Sequence, residues 1–215
     1  MPVALTEQTG DGGGLLDRLW IYTNYDCNLS CSYCVAQSFV GSERKGLDLS
    51  QVYQLIDEAV EIGMAHLFLT GGEPFILHDI FEMIAYGLER MHVTVLSNGI
   101  LLKGRRLEQL KALSPRERVT IQISLDGSNA ATHDFYRGSG SWQKAIAAIQ
   151  RLKEEGFHVR LGTTQTPEII RIWLPCASCI ARLIFLMKIT FFVPLSVGVS
   201  RPKAWLFHFQ RSSQR

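Results

Sequence analysis

Three cysteines fall within eight residues, in the run Cys27-Asn28-Leu29-Ser30-Cys31-Ser32-Tyr33-Cys34. A loop this short lets three sulfurs converge on one inorganic centre. A four-iron cube ordinarily takes four thiolate ligands, so three would leave one iron open to a group on a substrate. A zinc ion is one alternative, and it needs a fourth His or Cys ligand from elsewhere. Three unrelated buried cysteines are the plainer one. The remaining two cysteines, Cys176 and Cys179, form a second tight group. An odd total in two clusters is poor material for a disulfide framework. Residues 1–14 show neither a basic stretch nor an apolar one of the secretory kind. Metal binding in a cytoplasmic setting is therefore the expectation.

Further along stand three more texts with chemistry in them: Gly71-Gly72-Glu73-Pro74, Ser97-Asn98-Gly99 and Ser124-Leu125-Asp126-Gly127. Paired glycines let a backbone approach a ligand closely. Glu73 could accept charge-assisted hydrogen bonds from an ammonium group. Taken singly, each is ordinary turn text. Their common feature is position, because each follows a short apolar run, and the cysteines follow the first such run.

Those runs lie at 19–23, 65–69, 92–96, 119–123 and 158–161. Between them the period changes to that of helices. Val52, Leu55, Ile56, Ala59 and Val60 share one helical face, with Ser50 suited to the N-cap and Gly63 to the position past the C-cap. Ile80, Phe81, Ile84 and Leu88 mark a second helix, and Leu107, Leu110 and Leu113 a third. Trp142, Ala145, Ile146, Ile149 and Leu152 mark a fourth, between Ser141 and Gly156. Strand–helix alternation of this kind implies right-handed βαβ units and a parallel sheet, either a partial barrel or a doubly wound sheet. In either, loops after the strands carry function. With 47% apolar and 20% charged residues the chain can build a core, and a net charge of +2 gives no reason to expect nucleic acid as a partner.

The character changes after Glu168. All 20 acidic residues lie at or before it, whereas the rest of the chain holds seven Lys or Arg and no acid. The organisation expected is a flexible lead over 1–14, an α/β domain over 15–168 with five strand–helix units, and a discordant tail over 169–215. Residues 183–199 are apolar but for a few positions, barely long enough for a membrane span and interrupted by Lys188 and Pro194. A frameshift is the reading preferred here: one nucleotide earlier, suitable codons give an acidic, amphipathic helix-then-strand text. A membrane span and a genuine soluble tail are the alternatives.

Cys27, Cys31 and Cys34 in a CxxxCxxC pattern, the aromatic Tyr33 and the GGEP turn at 71–74 resemble the radical S-adenosylmethionine (SAM) superfamily. The stretch 123–138, with Ser124, Asp126, His133 and Arg137, is similar to the branch of peptide-modifying maturases and anaerobic sulfatase-maturing enzymes. The resemblance covers about residues 15–165. It implies an α/β fold, a partial (β/α)6 barrel incomplete at its C-terminus. It implies that Cys27, Cys31 and Cys34 hold a [4Fe–4S] cluster whose open iron is chelated by the amino and carboxylate groups of SAM. Gly71, Gly72, Glu73 and Pro74 would bind the methionyl ammonium, Tyr33 would lie near the adenine, and Ser97, Asn98, Ser124 and Asp126 would line the same ligand. The implied chemistry is reductive cleavage of SAM to a 5′-deoxyadenosyl radical, which abstracts hydrogen from a small-molecule or peptide substrate. A reductant such as flavodoxin or ferredoxin is the implied partner, and no catalytic side chain is singled out. An iron–sulfur electron carrier is the rival, although such a carrier needs no ammonium site; an inactive truncated product is another. Arg137 either pairs with a carboxylate or is a surface arginine. His78 and His133 are given no role, since capping and solvent exposure would explain both.

Overall fold

The structure, a computed structural model, describes residues 17–43 and 45–164 and the backbone of 190–192. Six parallel strands form one sheet in the order β1-β2-β3-β4-β5-β6: β1 (Arg18–Asn24), β2 (His66–Gly71), β3 (His92–Ser97), β4 (Val119–Ser124), β5 (His158–Gly162) and β6 (Thr190–Phe192). The order runs without reversal. A doubly wound sheet reverses its strand order partway, so this is the partial barrel and not the other architecture left open by the sequence.

Helices α1 (Leu49–Glu61), α2 (Ile80–Leu88), α3 (Arg105–Lys111), α4 (Ala130–Arg137) and α5 (Ser141–Glu154) fill the four crossovers from β1 to β5. Alternate strand residues point to opposite faces. Leu19, Ile21, Leu67, Leu69, Val93, Val95, Ile121, Ile123, Val159 and Leu161 form the helix-side core with Val52, Ile56, Ile80, Ile84, Leu110, Ile149 and Leu152. Each such fully buried side chain contributes roughly 1.5–3 kcal/mol, which makes the rim of strand ends a rigid platform.

Three expectations change. The cap of α1 is Asp48, not Ser50: its carboxylate accepts from Gln51 N at 2.9 Å while Gln51 Oε1 accepts from Asp48 N at 3.0 Å, a reciprocal capping box. Helix α4 was not anticipated; Asn129 caps it through Thr132 N, and its eight residues hold too few apolar positions to show a period. A sixth strand joins the five expected, because the backbone of Thr190–Phe192 pairs in parallel with Arg160, Leu161 and Gly162. The sixth strand thus comes from the segment read as discordant. The rest of that segment, with Cys176, Cys179 and the apolar run, lies outside the described residues, as does the lead 1–14. Among the described residues no helix is long and apolar enough to cross a membrane.

Candidate functional site

The sheet brings every motif turn to one rim. The thiol loop follows β1, GGEP follows β2, Ser97-Asn98-Gly99 ends β3 and Ser124–Gly127 follows β4. Cys27, Cys31 and Cys34 are all free and half-buried. Leu29 N donates to Cys27 Sγ at 3.4 Å and Ser38 N to Cys34 Sγ at 3.3 Å. Such N–H···S contacts favour thiolate and tune a bound iron–sulfur centre. Burial pushes the Cys27 thiol up to about 11. Burial also raises Cys31, with the Arg137 charge pulling the other way. Thiols of this kind ionise on binding metal.

Among the described residues the three sulfurs do not gather within 4.8 Å of one another, as the ligands of a single ion do; only the exposed His78 and Glu82 with the half-buried Asp79 meet that spacing. Tetrahedral zinc at sulfur distances of about 2.3 Å needs such crowding, whereas a cube spreads its ligands over separate irons. Three free thiols on one short loop are a donor set that fits a [4Fe–4S] cluster.

Gly71 and Gly72 allow a close approach within the chain itself. A Cβ on Gly71 would lie 2.3 Å from Asn24 O, at a φ of +140°, and one on Gly72 would lie 2.0 Å from Asp26 O. The close neighbour is the chain leaving β1. Gly72 N donates to Asn24 O at 2.9 Å and Glu73 N to Asp26 O at 3.0 Å. Asn24 Nδ2 donates to Asp26 Oδ1, Asp26 O and Glu73 O. The GGEP turn is bonded to the residues immediately before Cys27.

The Glu73 side chain also turns inward. It is fully buried, and Oε1 accepts from Ser97 Oγ at 2.8 Å and Phe75 N at 3.2 Å, while Oε2 accepts from Asn98 N at 2.8 Å. It caps the short 3-10 turn Pro74–Ile76, which Pro74 begins. Burial pushes its carboxyl up to about 7 despite these donors. Ser97 is buried and occupied as well, since its Oγ also accepts from Gly99 N at 2.9 Å. Asn98 passes the link on: its Nδ2 donates to Asn28 Oδ1 at 2.8 Å, beside Cys27.

A second network lies across the rim. Asp126 is fully buried; Oδ2 accepts from Arg137 Nε at 2.6 Å and from the Tyr33 hydroxyl, and Oδ1 accepts from Thr164 N at 3.0 Å. Arg137 is therefore the buried carboxylate partner and not a surface arginine. Burial works against its charge, but Asp126 and its neighbours hold it firmly protonated. Tyr33 carries the Arg137 guanidinium 5.5 Å from its ring centre, and burial raises its hydroxyl above the ordinary range. His133, expected at a solvent-exposed or capping position, is 1% exposed; its Nδ1 accepts from Asp126 N at 3.0 Å, and burial lowers it to about 4. It is a neutral acceptor. His78 is exposed, as expected. Ser124 is half-buried at the end of β4, in register with Gly162. Asn24, Asp26, Asn28 and Thr164 were not singled out from sequence; only Asn24 gave a signal, as a polar residue ending an apolar strand.

Residues 21–167 match the radical SAM superfamily, and the chain belongs to that family. The chain is 34% identical over 140 residues to the AdoMet-dependent heme synthase of Methanosarcina barkeri, covering 64% of this chain and 39% of that protein. It is 33% identical over 134 residues to the mycofactocin maturase MftC of Mycolicibacterium smegmatis, covering 62% of this chain and 33% of that one. The chain thus spans well under half the length of these curated relatives. Among solved structures, Streptococcus suis SuiB bound to S-adenosylmethionine superposes with a TM-score of 0.68 at 20% identity, over 86% of this chain and 41% of that one. That likeness concerns the fold.

Proposed function

We propose that this chain is the cluster- and SAM-binding part of a radical SAM enzyme acting on a peptide or small-molecule substrate. The observation that carries the reading is the set of three free thiols on the loop after β1, just past Asn24 and Asp26, whose carbonyls accept from the GGEP turn at the common rim of the parallel strands. Cys27, Cys31 and Cys34 would hold a four-iron cluster, and SAM would sit over the rim against the GGEP backbone, Asn98, Ser124 and Tyr33. Cluster and SAM together supply one-electron cleavage and a radical able to abstract hydrogen.

The residues of the chain divide the remaining work. Glu73 orients the turn by binding Ser97 and Asn98, so the ammonium contact falls to backbone groups of Gly71 to Glu73 and not to the carboxylate. Asp126 acts on Tyr33 and not on a ligand directly, because its oxygens are taken up by Arg137, Tyr33 and Thr164. His133, neutral and buried, holds the Asp126 backbone in place. A reductant such as flavodoxin or ferredoxin supplies the electron.

The test is anaerobic reconstitution with iron and sulfide, then chromatographic detection of 5′-deoxyadenosine under strong reductant. About four irons per chain are expected, and Cys27→Ala, Cys31→Ala and Cys34→Ala each abolish both cluster and product. A stoichiometric zinc atom without iron–sulfur absorption would refute the reading.

A further inference from the structure

The thiol loop is held from two sides by networks that share no residue. On the Cys27 side, Asn28 is tied to Asn98, which is tied to Glu73, and Asp26 is bonded to Glu73 N. On the other side, Ser32 N donates to Tyr136 O at 3.0 Å, on α4. The neighbouring Tyr33 hydroxyl donates to Asp126, and Arg137 lies over the Tyr33 ring while donating to the same carboxylate. The Tyr33 and Tyr136 rings also pack together, 5.5 Å between centres. Asp126 is itself immobilised by Thr164 N and by the His133 ring beneath its own N–H.

An ion pair this deep is a poor source of net stability, because desolvation offsets most of the attraction. Its value lies in direction. A guanidinium bonded through Nε and lying against an aromatic ring fixes the plane of that ring. Tyr33 sits between Cys31 and Cys34, so fixing the ring fixes the backbone that aims both thiols.

We propose that the Asp126–Arg137 pair is a positioning device for the thiol loop. Through Tyr33 and the Tyr136 carbonyl it sets Cys31 and Cys34, independently of the Glu73–Asn98–Asn28 chain that sets Cys27. Its bearing on a cluster rests on the functional reading above; the two-sided hold on the loop does not.

Amide hydrogen exchange on the full metal-free chain tests it. Tyr33→Phe keeps the ring and removes only the bond to Asp126. Arg137→Lys keeps the charge and loses the Nε bond and the planar face. Each speeds exchange of the Ser32 amide about tenfold, the worth of one hydrogen bond to a charged group, and leaves the Leu29 amide unchanged. Asn98→Ala does the reverse. Tyr86→Phe, which cuts a comparable tyrosine–carboxylate bond to Asp57 far from the rim, changes neither. If Ser32 fails to respond to both rim variants, or if both amides respond together in any of them, the proposal is overturned. Iron uptake by the unaltered chain is a separate readout: no cluster alongside the expected exchange pattern overturns the functional reading and leaves the positioning device standing.

Discussion

Glu73 and His133 titrate in opposite senses, and the contrast offers a sharp test of the site geometry. The fold keeps the Glu73 proton up to about pH 7, where an ordinary carboxyl loses it near 4.5. Below 4.5 the group is protonated whether the chain is folded or not. Between 4.5 and 7 the unfolded chain releases the proton and the folded chain retains it, so stability falls as pH rises. At 1.36 kcal/mol for each pKa unit, the loss over that window is about 3 kcal/mol. His133 runs the other way. Its ring is held down to about 4 instead of 6.5, so acidification protonates the unfolded chain first, and stability is lost by up to about 3 kcal/mol as pH falls from 6.5 to 4. Between 4.5 and 6.5 the two slopes nearly cancel. Single variants uncover them. In Glu73→Gln the amide oxygen keeps Ser97 and Phe75, its nitrogen opposes Asn98 N, and the His133 slope remains. In His133→Asn the side-chain oxygen replaces Nδ1, and the Glu73 slope remains. Urea unfolding of metal-free, reduced chain from pH 4.5 to 7.5 reads both. With a slope of about 2 kcal/mol per molar urea, the midpoint of wild type minus that of Glu73→Gln should fall by roughly 1.5 M as pH rises through the window. A constant difference would refute the burial of Glu73 as described.

Gly72→Ala should destabilise the chain by about 3 kcal/mol, since its Cβ meets the Asp26 carbonyl and backbone cannot yield as a side chain can. Gly63→Ala, with open space around it, should cost about 1 kcal/mol for its left-handed φ alone; thermal melts compare the two. Arg137→Met should cost about 3–5 kcal/mol by leaving the buried Asp126 carboxylate without its counter-charge, and Asp126→Leu in the same chain should restore only part of it, because the Tyr33 hydroxyl and Thr164 N then lose their acceptor. If the tail is out of frame, nucleotide sequence through the Glu168 codon will encode an acidic, amphipathic continuation one base earlier; immediate stop codons in that frame would exclude the frameshift reading.

Periodicity alone located five strands to within one or two residues, because each is a short apolar run bounded by turn text. The same runs placed the four motif turns at strand ends. The spacing of Cys27, Cys31 and Cys34 favours an inorganic centre over three unrelated thiols. These are local properties, and local sequence determines them. Strand order was not local. Only the tertiary structure chose an unreversed partial barrel over a doubly wound sheet, and only backbone pairing recruited Thr190–Phe192 as β6. The roles of individual side chains were decided there as well. Glu73 and Asp126 read from sequence as carboxylates facing a ligand. In the fold both are enclosed, because Ser97 and Asn98, 24 and 25 positions distant in the chain, bring a hydroxyl and an amide donor against the Glu73 carboxylate, and Tyr33, Arg137 and Thr164 close around Asp126. Gly71 and Gly72 likewise face the chain leaving β1, a neighbour that strand pairing creates. A carboxylate's partners depend on which strand ends meet, and that is settled by the packing of the whole sheet.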